Sequence, residues 1–305
     1  MSENKFEPNG VLIVNKPEGI TSHDVVGKIR KLYGTRKVGH TGTLDPLATG
    51  VLVILLGRAA KAAEYLVADR KTYRARITLG LTTDTEDITG KILTQSNDIP
   101  SADKVMSACG EFLGKIKQIP PMYSALKVEG KKLYDLAREG IEVERKARDI
   151  EIFQLVCSPT ENGNEYDLLV ECSSGTYIRT LCADIGARLG CGAVMSALHR
   201  VVAGGFAIEN AHILEELESL EMNARYALLA STESLFEDLQ RVNLPAFYEK
   251  LCRSGCEIYQ AKIKTSYEVG ARVRLCTHSG EFFALGEVRE YENGTAIKAI
   301  KTFSL

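Results

Sequence analysis

Long apolar runs are missing from this 305-residue sequence. The run VLVILL at residues 51–56 is far shorter than the roughly 20 residues that a membrane-spanning helix needs, so we predict no membrane span. The first ten residues, MSENKFEPNG, also lack the apolar core of a signal peptide. Together these absences predict a protein of the cytoplasm.

The eight cysteines show neither the compact spacing of a disulfide framework nor that of a metal site. Without a secretion signal they are expected to be reduced thiols. Cys252 and Cys256 are four residues apart, but no second pair or nearby histidine completes a zinc site. The sequence also has no phosphate-binding loop and no dinucleotide-binding fingerprint. We therefore predict neither a metal nor a cofactor.

Charge is unevenly distributed along a chain whose formal net charge is only -2. Residues 1–80 carry thirteen Lys and Arg against seven Asp and Glu, whereas residues 207–240 carry one against eight. Residues 241–305 are basic again, with ten against seven. The two basic ends could present a positive surface to a nucleic acid, which the net charge alone does not indicate. With 45% hydrophobic residues, the chain is expected to be globular, with one large and one small domain.

The stretch GHTGTLDPLATG, residues 39–50, is the most informative part of the sequence. Three glycines and Pro46 exclude a regular helix and predict a tight loop whose backbone can approach a ligand. Asp45 is the only acid between Asp24 and Glu64. A lone carboxylate on such a loop, with cations on the approach, suits a nucleophile or base that acts on an anionic substrate. The alternative is that Asp-Pro merely begins a turn.

Residues 39–52 resemble the catalytic motif of the TruB-type tRNA pseudouridine-55 synthases. Four other blocks resemble the remaining signature blocks of that family, in the same order: VNKPEGITSHDVV (14–26), KTYRARITLG (71–80), IPPMYSALKVEGKKLYDLAREG (119–140) and CSSGTYIRTLCADIG (172–186). Five blocks in order cover most of the first two hundred residues. The resemblance is therefore highly specific.

The resemblance implies an α+β fold, with a mixed, largely antiparallel sheet core of the pseudouridine synthase type flanked by helices. It also implies a small C-terminal β-barrel-like (PUA-like) domain that binds RNA. We place the catalytic domain at residues 1–235 and the small domain at residues 236–305. Residues 71–80 alternate as in a half-exposed antiparallel strand, and the short alternating runs within residues 267–303 are typical of a small barrel. Four basic residues there are compatible with RNA binding: Arg272, Arg274, Lys298 and Lys301.

Three residues are predicted to be catalytic: Asp45, Tyr73 and Arg179. Arg179 lies in the first turn of a predicted helix, where the helix dipole disfavours a cation, so a compensating anion is expected. The resemblance supplies one, because the arginine of GTYIRT pairs with the catalytic aspartate. We predict that Arg179 keeps Asp45 ionised and lowers its pKa, although a plain surface arginine is the alternative. Tyr73 reads as a core residue by itself, but it matches the tyrosine that lies against the target base.

Four further residues are predicted to bind substrate by the same resemblance: His40, Tyr177, Leu198 and Lys16. His40 would lie near the flipped base or fill the space that the base leaves in the RNA stem. Leu198 would pack on the base, and Lys16 would support the loop or contact a phosphate. One position departs from the family pattern of successive arginines after Leu198, since His199 precedes Arg200 here. A phosphate contact at residue 199 is therefore in doubt.

The implied activity is isomerisation of uridine 55 in the T-arm of tRNA to pseudouridine, by base flipping and a covalent intermediate on Asp45. Tyr73 would stack on the base and assist the final proton removal. Whether Asp45 attacks the sugar or the base ring stays open. The expected partner is tRNA alone, with the protein a monomer that needs no membrane and no protein partner. The alternatives are an RNA-binding or tRNA-folding protein with this fold and a guide-RNA-dependent relative, whose large basic extensions this chain lacks.

Overall fold

The computed structural model of the protein describes residues 7–66, 70–124, 126–128 and 130–304. The strands of the larger domain are β1 (Gly10–Lys16), β2 (Val38–His40), β3 (Thr49–Leu56), β4 (Lys71–Leu79), β5 (Leu81–Thr83), β6 (Ile92–Gln95), β7 (Gly114–Gln118), β8 (Lys127–Val128), β9 (Lys131–Lys132), β10 (Arg148–Pro159), β11 (Glu165–Cys172), β12 (Ala193–Ala203) and β13 (Phe206–Ala207). Those of the C-terminal part are β14 (Gln240–Asn243), β15 (Ile258–Tyr259), β16 (Arg272–Cys276), β17 (Phe282–Tyr291) and β18 (Gly294–Thr302).

The α-helices are α1 (Ser22–Leu32), α2 (Ala102–Gly110), α3 (Leu133–Arg138), α4 (Ile178–Leu189), α5 (Leu214–Ser219), α6 (Met222–Ala227), α7 (Ala246–Arg253) and α8 (Gln260–Ile263). The described ranges also contain 3₁₀ segments at Gly57–Tyr65, Ile208–Asn210 and Thr232–Phe236. None of the helices within the described ranges has the length and apolar character needed to cross a bilayer.

A central sheet of nine strands carries the larger domain in the described part of the chain. Its main order is β1-β3-β12-β4-β11-β10-β7, with β2 and β13 attached at β3 and β12. Every pairing is antiparallel except that of β12 with β3. Tyr73 in β4 lies opposite Val170 in β11 and Arg200 in β12, so these side chains share one face of the sheet.

The apolar runs of β1 and β3 are continuous because both faces of these strands are covered. One face packs against α1 and α5, through Leu12, Val14 and Leu52 among others. The opposite face, which includes Val11 and Val53, packs against residues of the C-terminal part. A strand that is buried on both sides reads as an unbroken hydrophobic segment. α1 follows Thr21, which is its N-cap and forms a capping box with Asp24.

The C-terminal part is a curled five-stranded sheet, in the order β14-β16-β17-β18-β15. It has a core of its own, but Leu235, Phe236 and Phe303 belong to the hydrophobic cluster that also covers β1 and β3. Because this cluster joins the two sheets, the division at residues 235 and 236 stays a prediction. The predicted fold class, an α+β sheet core with helices and a small C-terminal β domain, is confirmed.

The basic residues expected to face RNA in the C-terminal part have partners within the protein. Lys301 pairs with Glu64, and the Arg272 guanidinium lies 5.6 Å from the centre of the Tyr65 ring. Arg274 lies 3.0 Å from Glu233 and also donates to the Leu239 carbonyl oxygen. Lys298 donates to the Gly255 carbonyl oxygen and lies 3.7 Å from Glu257. These cations therefore stabilise the C-terminal part and its contact with the larger domain.

Two local expectations were incomplete. The sequence of residues 59–68 predicts a short helix, whereas the structure has a 3₁₀ segment, Gly57–Tyr65; residues 67 and 68 lie outside the described ranges. The helix α7 was not predicted. Its sequence follows Pro245, which occupies the N-cap and supplies no side-chain cap, so the local signal for a helix start is weak.

Candidate active site

The glycine-rich loop connects β2 to β3, and its backbone is held from several directions. Asp45 does begin a turn, since its carbonyl oxygen accepts a hydrogen bond from the Ala48 N–H at 3.0 Å. Ser22, the first residue of α1, accepts from the Leu44 N–H at 2.8 Å and donates to the Leu44 carbonyl oxygen at 3.0 Å. The turn interpretation and the functional one are therefore compatible, because the turn uses the backbone and leaves the carboxylate to other partners.

Lys16 lies beneath this loop, with its side chain fully buried. Its Nζ donates to the carbonyl oxygens of Pro17, Ile20 and Pro46, at 2.8, 2.7 and 3.3 Å. Burial lowers the pKa of Lys16 to about 8, and the nearby Asp45 carboxylate acts in the opposite direction. Of the two roles foreseen for this lysine, the geometry favours support of the loop.

Arg200 holds the loop from the side of the sheet and is only 1% exposed. Its Nε donates to the Val51 carbonyl oxygen at 2.7 Å, and its Nη2 donates to the Gly42 carbonyl oxygen at 3.1 Å. Its Nη1 approaches the Thr43 carbonyl oxygen at 3.4 Å. A rigid guanidinium can bond several carbonyl oxygens at once, which a lysine cannot do with the same geometry. The sequence marked Arg200 only as part of an arginine pattern, not as a loop support.

Asp45 and Arg179 form an ion pair, with 2.9 Å between Oδ2 of the carboxylate and Nε of the guanidinium. The arginine side chain is only 5% exposed, whereas that of Asp45 is 37% exposed and so can be reached from outside. Arg179 also donates to the carbonyl oxygens of Thr85 and Tyr123, at 3.0 and 2.8 Å. The guanidinium is thus fixed in place, and it orients the carboxylate without closing it off.

Asp87 is a second buried carboxylate beside Arg179, with 3.8 Å between its Oδ2 and Nη1 of the arginine. Its Oδ1 accepts hydrogen bonds from the hydroxyls of Thr85 and Thr89 and from the Thr89 N–H. The sequence of residues 82–90, TTDTEDITG, predicts only a polar turn and does not single out Asp87. The sequence feature that could have indicated a second carboxylate is the arginine at the start of α4. A cation there is stabilised by nearby negative charge, and more than one carboxylate can supply it.

Arg179 acts on Asp45 in the predicted direction, since its charge and its hydrogen bond both lower the pKa of the carboxyl, but the net pKa is nevertheless raised. Burial raises the pKa of Asp45 above the ordinary value, and the Arg179 charge offsets this only in part. The negative charge of Asp87 adds to the increase. A carboxylate that is poorly solvated is a stronger nucleophile and base than one in water, while its guanidinium partner keeps it in place.

Tyr73 and Leu198 belong to one hydrophobic cluster with Leu44 and Ala48, two residues of the Asp45 loop. Tyr73 is 6% exposed and Leu198 is 8% exposed. Burial raises the pKa of the Tyr73 phenol, and the nearby Arg200 charge acts in the opposite direction. The structure therefore brings the predicted residues 45, 73, 179 and 198 to one place.

The remaining two predicted residues are His40, at the start of the loop, and Tyr177, at the start of α4. His40 ends β2 at the start of the loop, and burial lowers its pKa, with the nearby Arg200 charge acting in the same direction. Tyr177 is the N-cap of α4. Its N–H donates to Oε1 of Gln118 at 2.8 Å, and its carbonyl oxygen accepts from Nε2 of the same side chain at 3.0 Å. Within the described ranges, no cluster of three or more His, Cys, Asp or Glu has a metal-binding arrangement.

Comparison with known proteins identifies the family to which this chain belongs. The family model for the N-terminal domain of TruB family pseudouridylate synthases matches residues 30–178, and that for the tRNA pseudouridylate synthase B C-terminal domain matches residues 179–246. The tRNA pseudouridine synthase B of Alkaliphilus oremlandii is 43% identical over 96% of this chain and 98% of that relative. The chain belongs to the TruB family of pseudouridylate synthases. The predicted family is confirmed.

Other members and solved structures extend the comparison along the chain. The tRNA pseudouridine synthase B of Syntrophotalea carbinolica is 48% identical over 77% of each chain. Among solved structures, the crystal structure of a Cbf5-Nop10-Gar1 complex contains a chain with a TM-score of 0.74 and 27% identity, covering 97% of this TruB-family chain and 85% of that one. An H/ACA RNP bound to a substrate RNA containing 2'-deoxyuridine gives a TM-score of 0.71 and 25% identity, covering 98% and 86%. The pseudouridine synthase fold is thereby confirmed over nearly the whole chain.

Proposed function

We propose that this enzyme isomerises uridine 55, in the T-arm of tRNA, to pseudouridine, and that Asp45 is the nucleophile. Family membership and the names of the curated relatives support uridine isomerisation in tRNA. The observation that carries the assignment of Asp45 is its geometry. It is a carboxylate that can be reached from outside, oriented at 2.9 Å by a buried guanidinium.

The reaction is an isomerisation, so its atoms balance without a co-reactant. The bond between N1 of uracil and C1′ of ribose breaks, a bond between C5 and C1′ forms, the proton on C5 leaves and N1 gains a proton. An ionised Asp45 forms a covalent adduct either at the sugar carbon C1′ or at C6 of the base, which divides the exchange into easier steps. Tyr73, below the loop, stacks on the base and assists removal of the C5 proton.

The remaining residues position the RNA. Tyr177 and Leu198 would contact the flipped base, because a flipped nucleotide needs apolar and aromatic surfaces to replace its lost stacking. His40 contacts the flipped base or occupies the gap in the stem. Lys16 holds the loop from below. The substrate is tRNA alone, and the enzyme acts as a monomer in the cytoplasm.

A guide-RNA-dependent role is less well supported than a role on tRNA. The matched chain of the Cbf5-Nop10-Gar1 complex has 27% identity to this chain, whereas the relative from Alkaliphilus oremlandii, named for tRNA, has 43% identity over almost its whole length. A tRNA-binding protein without turnover is a further alternative. The filled positions 45, 73 and 179, held in one arrangement, favour a working enzyme.

The test is incubation of the protein with an unmodified tRNA, followed by nucleotide-by-nucleotide mapping of pseudouridine. We expect one new pseudouridine, at position 55, in the full tRNA and in an isolated T-arm stem-loop. Asp45→Asn is expected to reduce product below detection while tRNA binding stays within a few fold. Asp103→Asn, an exposed aspartate in α2, is the matched control and should keep full activity.

The outcomes separate the parts of the proposal. Absence of pseudouridine with the unaltered protein would reject the activity, and product at another position would reject the substrate site. Normal turnover by Asp45→Asn would reject Asp45 as the nucleophile. Full binding without turnover in the unaltered protein would support the tRNA-folding alternative.

A further inference from the structure

Glu86 lies in the turn between β5 and β6, and its backbone adopts a conformation that a side chain disfavours. Its φ is +63°, in the left-handed region. In the described ranges the other non-glycine residue with a positive φ is Lys264, the C-cap of α8, and the left-handed conformation is common at such helix ends. Glu86 lies at no helix end, and its carbonyl oxygen accepts a hydrogen bond from the Met195 N–H at 3.1 Å. Backbone strain of this kind persists where the surroundings hold it in place.

The side chain of Glu86 reaches from this turn to the first turn of α4. Its Oε2 accepts a hydrogen bond from the hydroxyl of Thr180 at 2.5 Å, and Thr180 is only 4% exposed. Burial raises the pKa of Glu86, whereas the hydrogen bond from Thr180 and the charge of Arg179 act in the opposite direction. A hydrogen bond to an ionised carboxylate is stronger than one between neutral groups. The contact therefore joins firmly two segments that are 94 residues apart in the sequence.

The two segments that this contact joins are the ones that place Arg179 and two of its partners. Thr85 and Asp87 lie on either side of Glu86, and both face the guanidinium. The Thr85 carbonyl oxygen accepts from Nη1 at 3.0 Å, and Oδ2 of Asp87 lies 3.8 Å from the same atom. Thr180 directly follows Arg179 in α4. Because successive side chains of a regular strand point to opposite faces, a regular strand would not present three consecutive residues to one helix.

From these contacts we propose that Glu86 is a positioning residue for the catalytic ion pair. By holding Thr180, it fixes the turn of residues 84–90 against the start of α4, and so fixes the Arg179 guanidinium between its partners. The guanidinium in turn directs the Asp45 carboxylate, 2.9 Å from its Nε. Glu86 itself touches neither Asp45 nor the RNA base. The inference rests on the proposed function, since it assumes that Asp45 acts on the RNA.

The competing explanation is that Glu86 only stabilises the fold by joining the turn to α4. The two explanations differ in how the effect of removing the carboxylate depends on Arg179. If Glu86 acts through the guanidinium, its removal adds little once Arg179 has been replaced, because residues that act through one another are not additive. A loss of general stability would reduce the rate in either background.

The experiment measures single-turnover rates at increasing enzyme concentration, with a T-arm stem-loop RNA. Glu86→Gly removes the carboxylate and keeps the backbone, because glycine adopts a positive φ without strain. We expect the rate at saturating enzyme to fall about 10- to 100-fold, as a small displacement of a catalytic group does, while the half-saturating concentration changes by less than about threefold. In the Arg179→Lys background the same change should lower the rate by less than about twofold.

Three further variants separate the carboxylate from the backbone. Glu86→Gln should recover the rate to within about threefold of the unaltered enzyme, because its Oε1 still accepts from the Thr180 hydroxyl. Thr180→Val removes the donor, so it should reduce the rate as much as Glu86→Gly does, and the double variant should be no slower. Lys264→Gly is the matched control, since it changes the other left-handed residue, in the C-terminal part, and should keep the full rate.

A second measurement does not depend on turnover. The Nε–H of Arg179 donates to Asp45, so its NMR signal, identified by its absence in Arg179→Lys, should exchange slowly with solvent in the unaltered protein. In Glu86→Gly we expect that exchange to be faster by about tenfold or more, because the guanidinium is no longer held. Unchanged exchange in Glu86→Gly, or an equal loss of rate with and without Arg179, would overturn the positioning role. Failure of the proposed function is distinguishable, since the unaltered enzyme would then form no pseudouridine while the exchange measurement would still test the contact.

Discussion

Nε of Arg179 lies 2.9 Å from Oδ2 of Asp45, and the same guanidinium has Asp87 on another side at 3.8 Å. One buried guanidinium therefore lies beside two carboxylates, and of these two only Asp45 is accessible from outside. The arrangement also accounts for an arginine at the start of α4, where the helix dipole alone would disfavour it. The main effect of Arg179 is to orient the Asp45 carboxylate, because burial still raises the pKa of Asp45.

Arg179→Lys is expected to reduce the single-turnover rate by roughly 10²- to 10³-fold, while RNA affinity stays within about threefold. Lysine keeps the charge but cannot reach Asp45 and the two carbonyl oxygens of Thr85 and Tyr123 together. Arg188→Lys, in the same helix, changes only an exposed pair with Glu111 and should retain full activity. A parallel loss of RNA affinity would instead assign Arg179 to RNA binding.

Asp87→Asn is expected to shift the acid limb of the pH–rate profile to lower pH. The proposed mechanism needs ionised Asp45, whose raised pKa places the limb above the ordinary aspartate value. The charge of Asp87 contributes to that increase, so its removal makes Asp45 lose its proton more readily. An asparagine Oδ1 can still accept the bonds from Thr85 and Thr89.

The profile is measured by single turnover from pH 4.5 to 8. Asp167→Asn, which alters an exposed pair with Arg76 far along β11, is the control and should leave the limb in place. If the acid limb of the pH–rate profile of Asp87→Asn is unchanged or lies at higher pH, Asp87 does not destabilise the ionised form of Asp45.

Lys16→Met is expected to lose stability relative to the unaltered protein as the pH rises from about 8 to 10. Burial lowers the pKa of Lys16 in the native protein to about 8, whereas the pKa of a lysine in the unfolded chain is about 10.4. In this window the unfolded state binds more protons, so the free energy of unfolding of the unaltered protein gains up to about 3 kcal/mol relative to the variant. Urea denaturation at pH 7 and pH 9.5 measures the difference. For Lys28→Met, at an exposed lysine, the free energy of unfolding should differ from that of the unaltered protein by the same amount at both pH values. If Lys16→Met does not lose stability relative to the unaltered protein between pH 7 and pH 9.5, the prediction is wrong.

Much of the fold was predictable because its elements carry local signals. The apolar run of β3 and the alternation of β4 report which faces are buried. The capping box at Thr21 fixes the start of α1. The contact of the C-terminal sheet with β1 and β3 was not predictable, because Phe236 and Phe303 are distant in sequence from the strands that they cover. Local patterns contain no information about such long-range packing.

The site was predictable where the family motif names a residue and not where the structure uses one indirectly. Asp45, Tyr73 and Arg179 were placed together from the motifs. Asp87 and Arg200 act through other groups, by facing Arg179 and by holding the loop carbonyl oxygens, and no spacing in the sequence indicates these contacts. The sign of the Asp45 shift also depends on burial, which sequence alone does not give.

Gly50→Ala is expected to be among the most destabilising substitutions in the catalytic loop region. Gly50 has a φ of +100°, and a Cβ there would lie 2.2 Å from the carbonyl oxygen of Arg200 in the neighbouring strand. Backbone strain of roughly 1–2 kcal/mol and overpacking of roughly 1–3 kcal/mol should add, for a loss of about 3 kcal/mol or more in the free energy of unfolding. Gly34→Ala, where φ is +62° and nothing lies within 4 Å of the new Cβ, isolates the strain and should cost only about 1–2 kcal/mol. Urea denaturation of both variants decides the matter, because equal losses would mean that β12 moves aside and that Arg200 does not hold the loop rigidly.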